Sequence, residues 1–160
     1  MAKAKAKGTG KRKKAVPARF GELDQYLFGQ ATHYEIYRKM GAHPAVEDGK
    51  KGVWFTVWAP NARSVSVTGT FDDWDQEAHP MRKVAEMGIY ELFVPGAKKG
   101  DLYKYCIRTR DGREIYKADP YAFYAEKRPG TASCVTSIDG YKWGDAAWME
   151  KRQAFSPQTS

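Results

Sequence analysis

"LYKYCIRTRDGREIYK", residues 102–117, decides the fold. Its first eight residues alternate, with Tyr103, Tyr105 and Ile107 on one side and Lys104, Cys106 and Arg108 on the other. Successive side chains of a strand point to opposite faces, so this is the pattern of a strand covered on one face. Asp111-Gly112 separates it from a second run rich in β-branched and aromatic residues. Asp-Gly between two such runs is a strong short-range hairpin signal.

The same texture extends in both directions. "VWFTVW" (53–58), "SVSVTG" (64–69) and "IYELFV" (89–94) precede the hairpin, "REIYK" (113–117) closes it, and "ASCVTSI" (132–138) follows. Pro60-Asn61, Pro95-Gly96 and Lys99-Gly100-Asp101 supply the turns between them. Closely spaced strand-like runs with no helical pattern between them predict an all-β fold, an antiparallel β-sandwich.

Helical signals lie only outside this block. "THYEIYRKMGAHP" has Thr32 placed to cap, Glu35 three residues on, a stop at Gly41 and Pro44 beyond, which predicts a helix over 33–40. Ile36, Tyr37 and Met40 would dock it. "WGDAAWMEKR" predicts a short helix near the C-terminus, capped by Asp145 and stapled by Trp143 and Trp148. The expected organisation is a tail over 1–20, a helical lead-in over 21–50, the β-sandwich over 51–140, and a C-terminal helix and linker over 141–160.

The net charge of +8 invites a polyanion partner, but residues 1–20 hold eight Lys and Arg and no acid. Without them the remainder carries 19 basic and 19 acidic residues. The basic character belongs to "MAKAKAKGTGKRKKAVPARF", whose composition predicts a disordered tail. Salt-sensitive contact with nucleic acid would be confined to that tail, and solvation is its simpler role. No apolar run spans a membrane and the N-terminus has no apolar core of a signal peptide, so the cytoplasm is the expected location. Cys106 and Cys134 sit in separate runs and make no disulfide framework.

Candidate chemistry narrows by elimination. His33, His43, His79, Cys106 and Cys134 show no zinc spacing. Asp72, Asp73 and Asp75 in "FDDWD" lack the alternation, turn glycine and closing glutamate of a calcium loop. Three aspartates crowded in one loop are also not the separated pair of a glycosidase. There is no G-x-S-x-G, and "GTGKRKK" puts Arg12 where a P-loop needs Ser or Thr. Neither catalysis nor a cofactor is expected.

Aromatic residues remain, at 14% of the chain. Flat sugar faces pack on aromatic planes while Lys, Asn, Gln and carboxylates bind the hydroxyls. Covering about 60 Å² of an indole is worth about 1.5 kcal/mol. A few such contacts bind at roughly millimolar strength, which suffices for a polymer with repeated sites. Trp54 and Trp58 share one face of a strand and belong to core or interface, whereas Trp74 stands in a polar loop.

The segments "GVWFTVWAPNARSVSVTGTFDDWD", "HPM", "GIYELFVPG", "YKYCIRTRDGREIYKADPYA", "RPGTAS" and "WGDAAWM" together resemble the N-terminal carbohydrate-binding module, of the family 48 type, of bacterial 1,4-α-glucan branching enzymes. The likeness runs from "THYEIYRKMGAHP" to "WMEKR", roughly three quarters of the chain. It implies an immunoglobulin-like β-sandwich that binds or orients α-1,4-glucan (glycogen, amylopectin, maltooligosaccharides) and packs against a catalytic (β/α)8 barrel. Such a barrel needs about 200 residues or more and would lie beyond residue 160.

Carried over position by position, the resemblance assigns Trp74 to sugar stacking and Lys104 of "YKY" to hydroxyl contact. It adds Asp72, where the family usually has Asn, and Ser133, where glycogen-binding relatives offer an Asn. Thr70 replaces the usual Asp of branching enzymes. A second stacking Trp falls just after the Asp-Gly turn in the best glycogen binders. Here Arg113-Glu114 stands there, which implies single-ring contact.

Overall fold

In the computed structural model, which describes residues 18–140 and 142–155, helix α1 (Glu22–Gly29) leads into strands β1 (Gly41–Glu47), β2 (Lys50–Trp58), β3 (Ala62–Gly69), β4 (Arg82–Ala85), β5 (Ile89–Pro95), β6 (Leu102–Thr109), β7 (Glu114–Lys117), β8 (Tyr124–Ala125) and β9 (Ser133–Cys134), followed by helix α2 (Ala146–Ala154). One antiparallel sheet has the order β1-β2-β5-β4. The other runs β3-β6-β9-β8, with β7 also on β6. The expected immunoglobulin-like β-sandwich is what forms.

The sheets meet through the inward halves of their alternating strands. Val53, Phe55 and Val57 of β2 face Val65 and Val67 of β3 and Tyr103 and Tyr105 of β6 across one core. Phe55 and Tyr103 touch edge to face at 5.0 Å. The tyrosine hydroxyls cannot be left dry. Tyr103 donates to Asp119 Oδ2 at 2.7 Å and Tyr105 to the same oxygen at 3.1 Å. Asp119 N–H donates to Ser133 Oγ at 2.8 Å, and Tyr121 N–H to Asp119 Oδ1 at 2.8 Å. This buried knot ties "ADPYA" beneath β6. Burial holds the Asp119 carboxyl above its usual range, against the opposing pull of those donors.

A second cluster on the outer face of the first sheet joins Phe20, Met40, Ala85 and Ile89. Beside it lies Glu91, buried and satisfied by the N–H groups of Phe20 (3.0 Å) and Arg19 (3.1 Å) and by Arg82 (3.0 Å). Residues 1–17 of the expected tail lie outside the described residues. Arg19 and Phe20, also assigned to it, are held in the fold.

The helix expected over 33–40 is not there. Only Ile36–Arg38 makes a 3-10 turn. Asp24 holds both His33, at 2.9 Å, and Lys39, at 3.1 Å. Six positions apart on an α-helix, those two would point to different faces. From Gly41 the chain is drawn straight into the ladder with β2. Gly41 has φ +91, and a Cβ there would lie 3.0 Å from the Tyr121 carbonyl oxygen. The N-terminal helix is instead α1, whose Asp24 accepts from the Gly21 N–H at 3.0 Å and whose acidic first turn suits the helix dipole.

"ASCVTSI" contributes only Ser133–Cys134 as strand, because β7 occupies the edge of β6 from Tyr105 to Arg108 and leaves Leu102 and Tyr103 for pairing. Trp143 and Trp148, expected as buried staples of α2, stand at the surface instead. They are 77% and 58% exposed, and α2 buries no residue. Asp145 precedes the helix without a side-chain capping bond.

Candidate functional site

The chain leaves β3 at Gly69, which must be glycine: a Cβ would lie 2.1 Å from the Leu102 carbonyl oxygen. It then turns through Thr70–Asp75. Thr70 Oγ1 donates to Asp101 Oδ1 at 3.3 Å and accepts from Leu102 N–H at 3.2 Å, so the loop is tied to β6. Phe71 anchors its underside against Phe55 at 5.6 Å and His79 at 5.5 Å.

Asp72 organises the turn. Its Oδ1 accepts from Gly69 N–H (2.9 Å), Trp74 N–H (3.0 Å) and Thr68 Oγ1 (3.2 Å). Its Oδ2 is buried without a hydrogen bond, 3.8 Å from His79 Nε2. Around this carboxylate, Asp73 and Trp74 are forced into left-handed backbone, with φ +53 and +64. That conformation costs about 1–2 kcal/mol for a residue with a Cβ, and a bulky residue held in it points to function. The outcome is a large ring, 42% exposed, at the tip of a braced loop.

Trp74 borders an open cleft of about 430 Å³ with Lys104, Tyr116, Glu126 and Thr131. Lys104, on the outer face of β6, donates from Nζ to Thr131 Oγ1 at 2.7 Å. Glu126 turns back to accept from Ala132 N–H at 3.1 Å. Tyr116, 50% exposed on β7, donates its hydroxyl to Gln76 Oε1, which links it to the Trp74 loop. Desolvation, with the neighbouring Cys106, raises the Tyr116 phenol above its usual range.

Of the four residues expected to touch glycan, Trp74 and Lys104 come together in one cleft. Asp72 and Ser133 do not join them. Asp72 is turned inward and spends its carboxylate on the loop. Ser133, 1% exposed, accepts from Asp119 N–H within the buried knot. Glu114, where a second ring was sought, is held by Arg108 at 2.7 Å. A second aromatic ring, Tyr116, lines the cleft two residues later, and sequence reasoning did not single it out. The signal was the period-2 alternation that puts Glu114 and Tyr116 on one face of β7. Among the described residues no three His, Cys, Asp or Glu gather as a metal site, and both cysteines are free.

The sequence model described as "Carbohydrate-binding module 48 (Isoamylase N-terminal domain)" matches residues 39–122. The chain is 57% identical over 129 residues to the 1,4-alpha-glucan branching enzyme GlgB of Butyrivibrio fibrisolvens, covering 81% of this chain and 20% of that protein. It is 51% identical over 135 residues to the enzyme of the same name from Protochlamydia amoebophila, covering 84% and 19%. The chain thus spans about a fifth of the length of the curated relatives it matches. In fold it is similar to a part of pullulanase from Bacillus acidopullulyticus (TM-score 0.51, 23% identity, 69% of this chain and 13% of that one). A second likeness is to pullulanase complexed with maltotetraose from Anoxybacillus sp. LM18-11 (TM-score 0.50, 23% identity, 61% and 14%).

Proposed function

The chain belongs to the carbohydrate-binding module 48 family, and from that premise we propose that it binds and orients α-1,4-linked glucan, without catalysing a reaction itself, as one module of a cytoplasmic glycogen-branching enzyme. The observation that carries this reading is Trp74, held in left-handed backbone by Asp72 at the rim of the cleft. A solvent-facing indole kept at that backbone cost suits a ring that a ligand will cover.

In this reading a glucose face stacks on Trp74 and the chain passes toward Tyr116, each ring contributing about 1.5 kcal/mol if about 60 Å² is covered. Lys104 keeps two N–H groups beyond its bond to Thr131, and these meet sugar hydroxyls. The acceptor chemistry is supplied by Glu126. Affinity is low per site and multiplied on a polymer. The branching step, cleavage of an α-1,4 link and transfer to a 6-hydroxyl, falls to a catalytic barrel that these residues hold against its substrate.

Affinity electrophoresis in glycogen or amylopectin tests the binding role. Trp74→Ala should be clearly less retarded than the wild type while keeping the native circular dichroism. Unchanged retardation would remove Trp74 from the binding role, and a wild type that glucan does not retard would move the role to packing against the barrel. That second reading draws on the exposure of Trp143, Trp148 and Phe155 around α2. Incubating the chain with amylose should give no α-1,6 branches, and any turnover would overturn the non-catalytic assignment.

A further inference from the structure

We propose that the module carries a second carbohydrate-binding cleft, at the free edge of the first sheet, which takes a neutral α-glucan segment independently of Trp74. The inference rests on the glucan reading above and extends it to a second surface. The cleft measures about 440 Å³ and lies between the 3-10 turn, β1 and the segment that follows β9. It shares no residue with the cleft at Trp74.

Its walls are aromatic. Phe123 stands edge-on to Tyr37 at 6.4 Å and to His43 at 5.8 Å. Its rim is polar and of mixed sign. The Arg38 guanidinium lies 5.7 Å from the centre of the Tyr37 ring. Ser137 Oγ donates to Asp139 Oδ2 at 2.7 Å and accepts from Asp139 N–H at 3.0 Å. Arg19, which donates to the carbonyls of Lys39 and Arg38, closes one side.

This lining selects a chemical class. Asp139 disfavours an anion, and Arg19 and Arg38 disfavour a cation. A predominantly polar rim does not suit an apolar peptide. Flat ring edges with donors and acceptors interleaved around them suit a neutral polyhydroxylated ring. The first cleft has the same make-up: Trp74 and Tyr116 as rings, Lys104 as cation, Glu126 as carboxylate and Thr131 as hydroxyl. Two weak clefts on separate faces let one module hold two stretches of a branched polymer, with retention above that of either alone.

Titration of the full chain with maltoheptaose, followed by amide chemical shifts, tests the assignment. In the wild type, shifts are expected at residues 37–43 and 136–139 as well as at 70–75 and 126–132. Trp74→Ala should silence the second group and leave the first. The double variant Arg38→Ala/Asp139→Ala, both at exposed positions, should do the reverse and lower retention on glycogen by roughly threefold or more. Silence at 37–43 and 136–139 while the Trp74 cleft responds would overturn the second site and leave the first reading standing. Response at 37–43 and 136–139 alone would sustain the second site and remove the first reading. Shifts of 37–43 with inorganic phosphate but not with maltoheptaose would assign the cleft to anions and overturn the proposal.

Discussion

Trp74 and Asp72 divide one task between them. Trp74 offers the ring, and Asp72 makes the backbone that offers it. Replacing Asp72 by Ala strips three donors of their acceptor and frees a left-handed turn, so it should destabilise by about 2 kcal/mol and weaken retention on glycogen nearly as much as Trp74→Ala. Asp72→Asn keeps Oδ1 and replaces the carboxylate oxygen that has no partner, so chemical denaturation should find it at least as stable as the wild type. Asp119 gives a prediction in pH. Burial raises its folded pKa above the ordinary 3.8. A raised folded pKa means that the native state binds the proton more tightly than the unfolded chain. The associated stability is therefore complete below 3.8 and is lost as pH rises through the folded value. Midpoints of urea unfolding measured upward from pH 3.8 should fall in the wild type by a component that is absent in Asp119→Asn.

Among the elements, the β6–β7 hairpin does more than extend a sheet. Pairing Cys106 with Tyr116 sets the tyrosine beside the outer face of β6, where Lys104 also projects. Gln76 then connects that ring to the loop after β3. Tyr116→Phe keeps the ring and should retain glucan, whereas Tyr116→Ala should lose up to about tenfold, the equivalent of about 1.5 kcal/mol; affinity electrophoresis compares the two. The hairpin was legible because Asp111-Gly112 sits between two alternating runs. The 33–40 helix was misread because its capping signals are local, while Asp24 and the β2 ladder, which act on the same residues, are not. The edge strand β1 escaped notice since Pro44 interrupts its pattern, and an edge strand is where proline is tolerated.

At the scale of the molecule, charge and fold are separate properties. Seven of the 27 basic residues precede Ala18 in the sequence, and the rest of the chain carries 20 bases against 19 acids, so removing residues 1–17 should leave thermal stability and glucan retention unchanged and abolish any salt-sensitive binding to polyanions. Cutting on through Phe20 should cost about 3–5 kcal/mol, because Phe20 is fully buried and its N–H and that of Arg19 satisfy Glu91. Differential scanning calorimetry of the two truncations separates these outcomes. Trp58 illustrates the same scale. It shares a face with Trp54, but Trp54 packs on Phe93 at 5.5 Å and donates its indole N–H to Glu47 at 2.8 Å, whereas Trp58, edge-on to Phe28 of α1 at 5.7 Å, stays 51% exposed.

The sequence alone determined the sandwich, the β6–β7 hairpin and the loop that carries Trp74, because alternation and Asp-Gly turns act between near neighbours and leave a periodic trace. Through motif resemblance it also singled out Trp74 and Lys104, which the fold sets in one cleft. Only the tertiary structure decided which polar residues face solvent. Asp72 and Ser133 were drawn inward to accept from inward-facing donors, and Tyr116 was carried by strand register to the cleft that Trp74 borders. The places of Ser133 and Tyr116 depend on partners 14 to 40 positions away in the chain, and that of Asp72 on N–H groups that point inward only once its own loop has folded; alternation along β7 records the face of Tyr116 but not its neighbours.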